Sequence, residues 1–167
     1  MKIEILNRLE KEVFEKIGYK ISDLEQDNEC EEYLGYNFRV KDFNIKFRKA
    51  KVTPKKVGQF VTLWKRNPQG ETEAFNTNDD FDFYIIASES ENRFGIFLFP
   101  KLALVKNKIL STENAEGKRG FRLYPVWDLP TNKQAEKTKL WQSEFFVNFA
   151  DSKDKILNQI NRIFDFK

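Results

Sequence analysis

The sequence predicts an α/β (α+β) fold in a single domain, residues 1–167, with a mixed central sheet flanked by helices. Three observations carry this. Residues 81–87 and 94–99 are short apolar runs, suited to strands buried on both faces. Residues 36–40 and 44–48 alternate apolar and polar at period two, as hairpin strands do. Ile3, Leu6, Leu9, Val13 and Ile17 recur near helical spacing. A chain of 167 residues can bury roughly 70% of its unfolded surface. Its seventeen phenylalanines favour an aromatic core over disorder.

The first helix is expected over residues 2–17, ended by Gly18. An acidic connector follows, holding Asp23, Glu25, Asp27, Glu29, Glu31 and Glu32. Lys41-Asp42 reads as the turn of the 36–48 hairpin. Thr53-Pro54 reads as a helix start, with Thr as N-cap and Pro in the first turn. Val57, Phe60, Val61 and Trp64 then fall at i, i+3, i+4 and i+7, so a helix is expected over 54–66. Residues 39–66 thus become a basic strand-helix segment. The central strands span 81–99, and Phe121–Tyr124 is another short strand. Thr131 with Gln134 forms a capping box for a helix to about Phe149, and a last helix runs from Ser152 to Phe164. The C-terminal helices therefore occupy 132–164.

Charge is segregated along this framework. Residues 39–66 hold ten Lys or Arg and one acid, Asp42, whereas the whole chain is only +3. Such a basic element on a folded body is the electrostatic footprint of a polyanion site. Around Arg48, Lys49, Lys51, Lys55 and Lys56 a strand would pass into a helix N-terminus, where free N–H groups favour an anion. A second locus is Gly117-Lys-Arg-Gly-Phe-Arg122. Its glycines would let the backbone approach a ligand, while Lys118, Arg119 and Arg122 supply charge and forked donors. Trp64 lies on the expected apolar stripe and reads as core. Trp127, between Pro125 and Asp128, reads as either core or a stacking surface.

Absences narrow the chemistry. The chain has no histidine, which removes His acid–base catalysis, His-based triads and His-ligated metal. One cysteine, Cys30, permits no intrachain disulfide and no Cys-rich zinc site. Apolar runs such as Phe94–Pro100 fall far short of the ~20 residues of a membrane span. The N-terminal residues have no continuous apolar stretch of the signal-peptide kind, so a cytoplasmic location is expected. A metal nuclease would need an acid at a strand end, a second acid on the neighbouring strand and a Lys two residues beyond it. Asp82 and Lys101 suit two of these positions, but Phe99 stands where the second acid belongs. Lys51 in the earlier hairpin is likewise preceded by Lys49, not an acid.

Taken together, these segments resemble the MepB-like family of bacterial proteins. The matching residues are Arg48-x-Ala50-Lys51-x-Thr53-Pro54-x-Lys56-x-Gly58-x-Phe60-Val61 with Lys65-Arg66, then Asp80-Phe-Asp-Phe83 and Phe99-Pro-Lys101. Gly117-Lys-Arg-Gly-Phe-Arg122, Tyr124-Pro-x-Trp-Asp128 and Lys137-Thr138-x-x-x-Gln142 complete the set, over about residues 31–149. The resemblance implies a body similar to the restriction-endonuclease-like fold, with nucleic acid as the expected ligand.

The leading expectation is a nucleic-acid-binding protein, its partner DNA, with phosphate-directed contacts, weak sequence preference and no catalytic residue, metal or cofactor. Its contacts would come from Arg48, Lys49, Lys51, Lys55, Lys56, Lys118, Arg119 and Arg122. One alternative is a Mg²⁺-dependent nuclease, using Asp82, an acid from elsewhere in the chain and Lys101. Another is a protein-interaction module whose basic face meets an acidic partner. Oligomeric state is not legible. The two basic loci are expected on one face of the molecule.

Overall fold

The computed structural model describes residues 3–166, apart from the Cys30 side chain. Its frame is a six-stranded sheet. In chain order the frame strands are β1 (Ile21–Gln26), β2 (Tyr36–Val40), β3 (Phe43–Lys49), β8 (Phe83–Ser90), β9 (Arg93–Pro100) and β11 (Phe146–Asn148). They lie side by side in the order β1-β2-β3-β8-β9-β11. The β3–β8 pair is parallel and the other pairs are antiparallel, so the sheet is mixed. The expected α+β class with a mixed central sheet is thus what forms, and nothing in the described residues conflicts with a restriction-endonuclease-like arrangement.

The local reasons follow from the sequence. Lys41 takes a left-handed backbone (φ 56) in the tight turn that pairs Val40 with Phe43. Residues 83–88 of β8 are buried without interruption, as befits a strand covered on both faces. One face is covered by α1 (Glu4–Leu9), its irregular continuation to Ile17, and α4 (Lys153–Phe164). Ser152 caps α4 by accepting from the Lys155 N–H. Phe164 at the far end of α4 packs against Phe83, Phe43 and Phe14. In place of the single helix expected over 2–17, Ile3 is extended, Glu4–Leu9 is α-helical, and Glu10–Ile17 continues in π and 3-10 turns; Lys2 lies outside the described residues.

The opposite face carries the connection between β3 and β8. Parallel neighbours cannot be joined by a tight turn, so the chain must cross over the sheet. Here the crossover is not the expected helix over 54–66. It contains β4 (Lys51–Val52), β5 (Gln59–Thr62), β6 (Trp64–Arg66) and β7 (Thr72–Ala74). Burial alternates through this stretch: Gln59, Val61 and Leu63 point in, while Phe60, Thr62 and Trp64 are half-exposed. Gly58 sits at φ +95, and a Cβ there would strike the Leu123 carbonyl and the Tyr124 ring. A helix could not pass through that residue. The Thr53 hydroxyl donates to the Lys56 carbonyl at 3.2 Å, closing a turn and not capping a helix.

Four smaller corrections concern the rest of the chain. The acidic connector contains β1 and a 3-10 segment, Asn28–Tyr33. A short helix, α2 (Lys101–Lys106), follows β9 directly. The helix expected to begin at Thr131 is α3 (Lys133–Ser143), capped by Asn132, which accepts from the Ala135 N–H. It stops at Ser143, and the chain then adds β11 as an edge of the main sheet.

α3 is pinned to β10 (Gly120–Leu123) by one buried side chain. The Gln142 amide oxygen accepts from the Tyr124 N–H, and its nitrogen donates to the Arg122 carbonyl, both at 2.9 Å. Gln142→Leu fills similar volume but strands both backbone groups. We expect a loss of about 2–4 kcal/mol in urea or thermal unfolding. A loss below about 1 kcal/mol would mean the two groups find other partners.

Candidate nucleic-acid interface

β10, β5 and β4 form a three-stranded antiparallel sheet in that order. The register places Lys51 opposite Phe60, and Phe60 opposite Arg122. Directly opposed residues project from the same face of an antiparallel sheet. Lys51 and Arg122 therefore flank Phe60 on one face. Arg122 also donates to the Thr53 hydroxyl and, at 3.3 Å, to the Val57 carbonyl. The loop carrying Lys55 and Lys56 is thereby tied to the strand that follows Lys118 and Arg119. The two loci, 67 or so positions apart in the chain, are neighbours in the fold.

The eight expected binding residues separate into distinct groups. Arg48 is corrected: it is fully buried and donates to the Asp27 carboxylate at 2.5 Å and to the Phe47 carbonyl at 2.7 Å. It holds β3 to the segment after β1 and meets no solvent. Lys49 and Lys51 lie near the surface but pair with Glu89 at 3.3 Å and Glu32 at 3.5 Å. Lys51 also lies over the Tyr33 ring. Lys55, Lys56 and Lys118 are exposed, and their ammonium groups have no ion-pair partner among the described residues. Arg119 is exposed and donates to the Thr72 hydroxyl at 3.3 Å. Arg122 is half-buried and organises the 53–57 loop.

The glycines of the second locus serve packing. A Cβ on Gly120 would collide with the Phe60 ring, and one on Gly117 would collide with the backbone of residues 109–111. Gly120 thus lets the Phe60 ring lie across β10. The expectation that these glycines admit a ligand to the backbone is replaced by close chain-to-chain contact.

Between β10, the end of α2 and the first turns of α3 lies a cleft of about 610 Å³. Lys106, Lys108, Lys118, Arg122 and Lys137 line it, with Phe60, Phe121, Tyr124 and Trp141 as its aromatic surface, and no acid is among the lining residues. By contrast, a cavity of about 730 Å³ beside α4 mixes Asp151 with Lys155 and Arg162. Lys106 and Lys108 escaped sequence reasoning because two lysines either side of an asparagine carry no pattern; only the fold turns them toward Arg122. Lys137 carries no such signal alone either, standing one turn before the packed Trp141.

Other aromatic and acidic candidates fall elsewhere. Trp64 is half-exposed with the Arg66 guanidinium over its ring, so it is not the core residue expected. Trp127 is half-buried, in a T-shaped contact with Phe146, and the Arg93 guanidinium lies over its ring. Beside it, burial pushes the Asp128 carboxyl above its ordinary range, opposed by the nearby Arg93, Lys139 and Arg122 charges.

Asp82 and Lys101 are adjacent at the end of the β8–β9 hairpin, the Lys101 N–H donating to the Asp82 carbonyl at 2.9 Å. Their side chains engage different backbone groups. The Asp82 carboxylate accepts from the Asn44 N–H at 2.8 Å, and the Lys101 ammonium donates to the Asp79 carbonyl. Phe99 is fully buried against Phe97, Trp141 and Phe145. Among the described residues no cluster of three acids or cysteines is placed to hold a metal ion.

Comparison with known proteins places this geometry in a family. The MepB-like family profile matches residues 27–148. The chain belongs to the MepB-like family. Among solved structures it is similar to a crystal structure of MepB, at 33% identity and a TM-score of 0.77. That match covers 79% of this chain and 89% of the other. No curated protein matches the chain. The family match takes in β2 through β11, and with them the small sheet, the cleft and α3. No helix among the described residues is long and apolar enough to cross a membrane.

Proposed function

We propose that this protein binds nucleic acid, DNA in the first instance, through contacts to the sugar-phosphate backbone, and that it does so in the cytoplasm. The observation that carries the reading is the joining of two basic loci by one small sheet at the rim of an acid-free cleft. Lys55, Lys56, Lys118 and Arg119 are exposed where a polyanion can reach them. Long Lys side chains on a turn and a strand end give charge and register but no fixed fork aimed at base edges, so little sequence preference is expected. Anisotropy titrations with two unrelated labelled DNAs at several salt concentrations test this. Affinity should fall steeply with salt and be nearly equal for both sequences. Salt-sensitive self-association without DNA binding would instead favour a basic face built for an acidic protein partner.

The site is read as a binding site without hydrolysis. The acid position is occupied by the buried Phe99, and Asp82 and Lys101 are engaged with backbone groups. The purified protein with Mg²⁺ should therefore leave DNA intact in a gel assay. Sustained cleavage that disappears in Asp82→Asn would contradict this and promote the nuclease alternative.

A further inference from the structure

Phosphate contacts alone need basic side chains within reach of the backbone; they do not need an aromatic lining. The cleft between β10 and α3 is concave, about 610 Å³, within the size range of small-molecule sites, ~300–1,000 Å³. Phe60 is also unusual in its strand. Gln59 points into the protein and the Phe60 ring points out, the reverse of what burial alone would select. Its ring is accommodated by the absent side chain of Gly120 and lies between Lys51 and Arg122 on the same face. A half-exposed aromatic flanked by Lys51 and Arg122 is the kind of surface on which unpaired bases stack while their phosphates are held. The first turn of α3 opens into the same cleft through Asn132 and Gln134, adding a helix end that favours an anion.

We propose that this cleft receives one unpaired nucleotide, its base against Phe60 and its phosphate held by Lys118, Arg122 and Lys137. The inference rests on the nucleic-acid reading above and sharpens it: the preferred ligand is a single-stranded segment or strand end, and continuous duplex is held only by the exposed Lys55, Lys56, Lys118 and Arg119. The recognised chemistry is a base joined to a phosphate, whether free or within a strand.

Titrations with a labelled 12-nucleotide single strand, the matching duplex, adenosine 5′-monophosphate and inorganic phosphate test it. The single strand should bind at least about tenfold more tightly than the duplex, the value of one stacked base. Adenosine 5′-monophosphate should displace the single strand at concentrations where inorganic phosphate does not. Displacement would show that the subsite accepts a free nucleotide; preference for the single strand without displacement would assign it to strands alone. Phe60→Ala should weaken the single strand about tenfold and leave the duplex unchanged, and Phe60→Trp should restore binding, separating stacking from misfolding. Equal binding of the two DNAs, both insensitive to Phe60→Ala, would overturn the cleft assignment and leave the phosphate-directed reading standing. Binding of no DNA at all would overturn both.

Discussion

Asp27→Asn should cost this protein about 3–5 kcal/mol of folding stability, the range for breaking a buried ion pair from one side. The guanidinium of Arg48 has no solvent exposure, and its Nη2 lies 2.5 Å from the Asp27 carboxylate. Asn at this position keeps an acceptor for the Glu29 N–H, which the carboxylate now receives at 3.1 Å. What the substitution removes is charge next to a buried cation. Thermal midpoint should drop by about 6–20 °C, taking about 2–4 °C per kcal/mol for a domain of this size. Arg48→Met should cost less. It leaves behind a carboxylate whose side chain is 17% exposed and which also lies 3.9 Å from the Lys46 ammonium. Matched losses below about 1 kcal/mol in both variants would show that Arg48 is not held chiefly by Asp27. The same comparison separates Arg48 from the residues proposed to contact DNA, since its loss should act through folding alone.

The main-sheet hairpins were legible because their patterns agree at every level. Residues 36–48 alternate around a turn, and 83–87 and 94–99 are apolar on both faces because both faces are covered. The last helix, expected from about Ser152 to Phe164, forms as α4, and the Ser152 hydroxyl accepts from the Lys155 N–H at its start. The stretch 54–66 misled for a physical reason. With Gln59 inside and Phe60 outside, the period-two signal is inverted at one point, and the remaining apolar residues mimic a helical stripe. Local rules fail most often where a side chain serves something other than the core, and Phe60 lies at the cleft. β11 was hidden because three residues, Phe146–Asn148, follow α3 with no glycine or proline to mark the break. Arg48 looked like part of a basic surface because its partner, Asp27, lies 21 positions earlier in a segment with no strand pattern. The cleft itself was half legible: Lys118 and Arg122 stood out, but Lys106 and Lys108 join them only through the placement of α2.

Replacing Lys55, Lys56, Lys118 and Arg119 together with Gln tests the central claim, that this face holds a nucleic-acid backbone. All four are exposed, and none forms an ion pair among the described residues, so the fold should be little affected. On duplex DNA each phosphate contact contributes about 0.9 to the slope of log affinity against log salt, because it releases a condensed counterion. Four lost contacts should reduce that slope by roughly 3–4. Between 50 and 200 mM salt the parent should then lose about a hundredfold more affinity than the variant. The decisive measurement is the salt dependence of duplex binding for parent and variant, side by side. A shallower slope and weaker binding that is equal across unrelated sequences is the predicted result. A variant that binds as tightly as the parent, with the same slope, would show that these side chains are only a solvated surface.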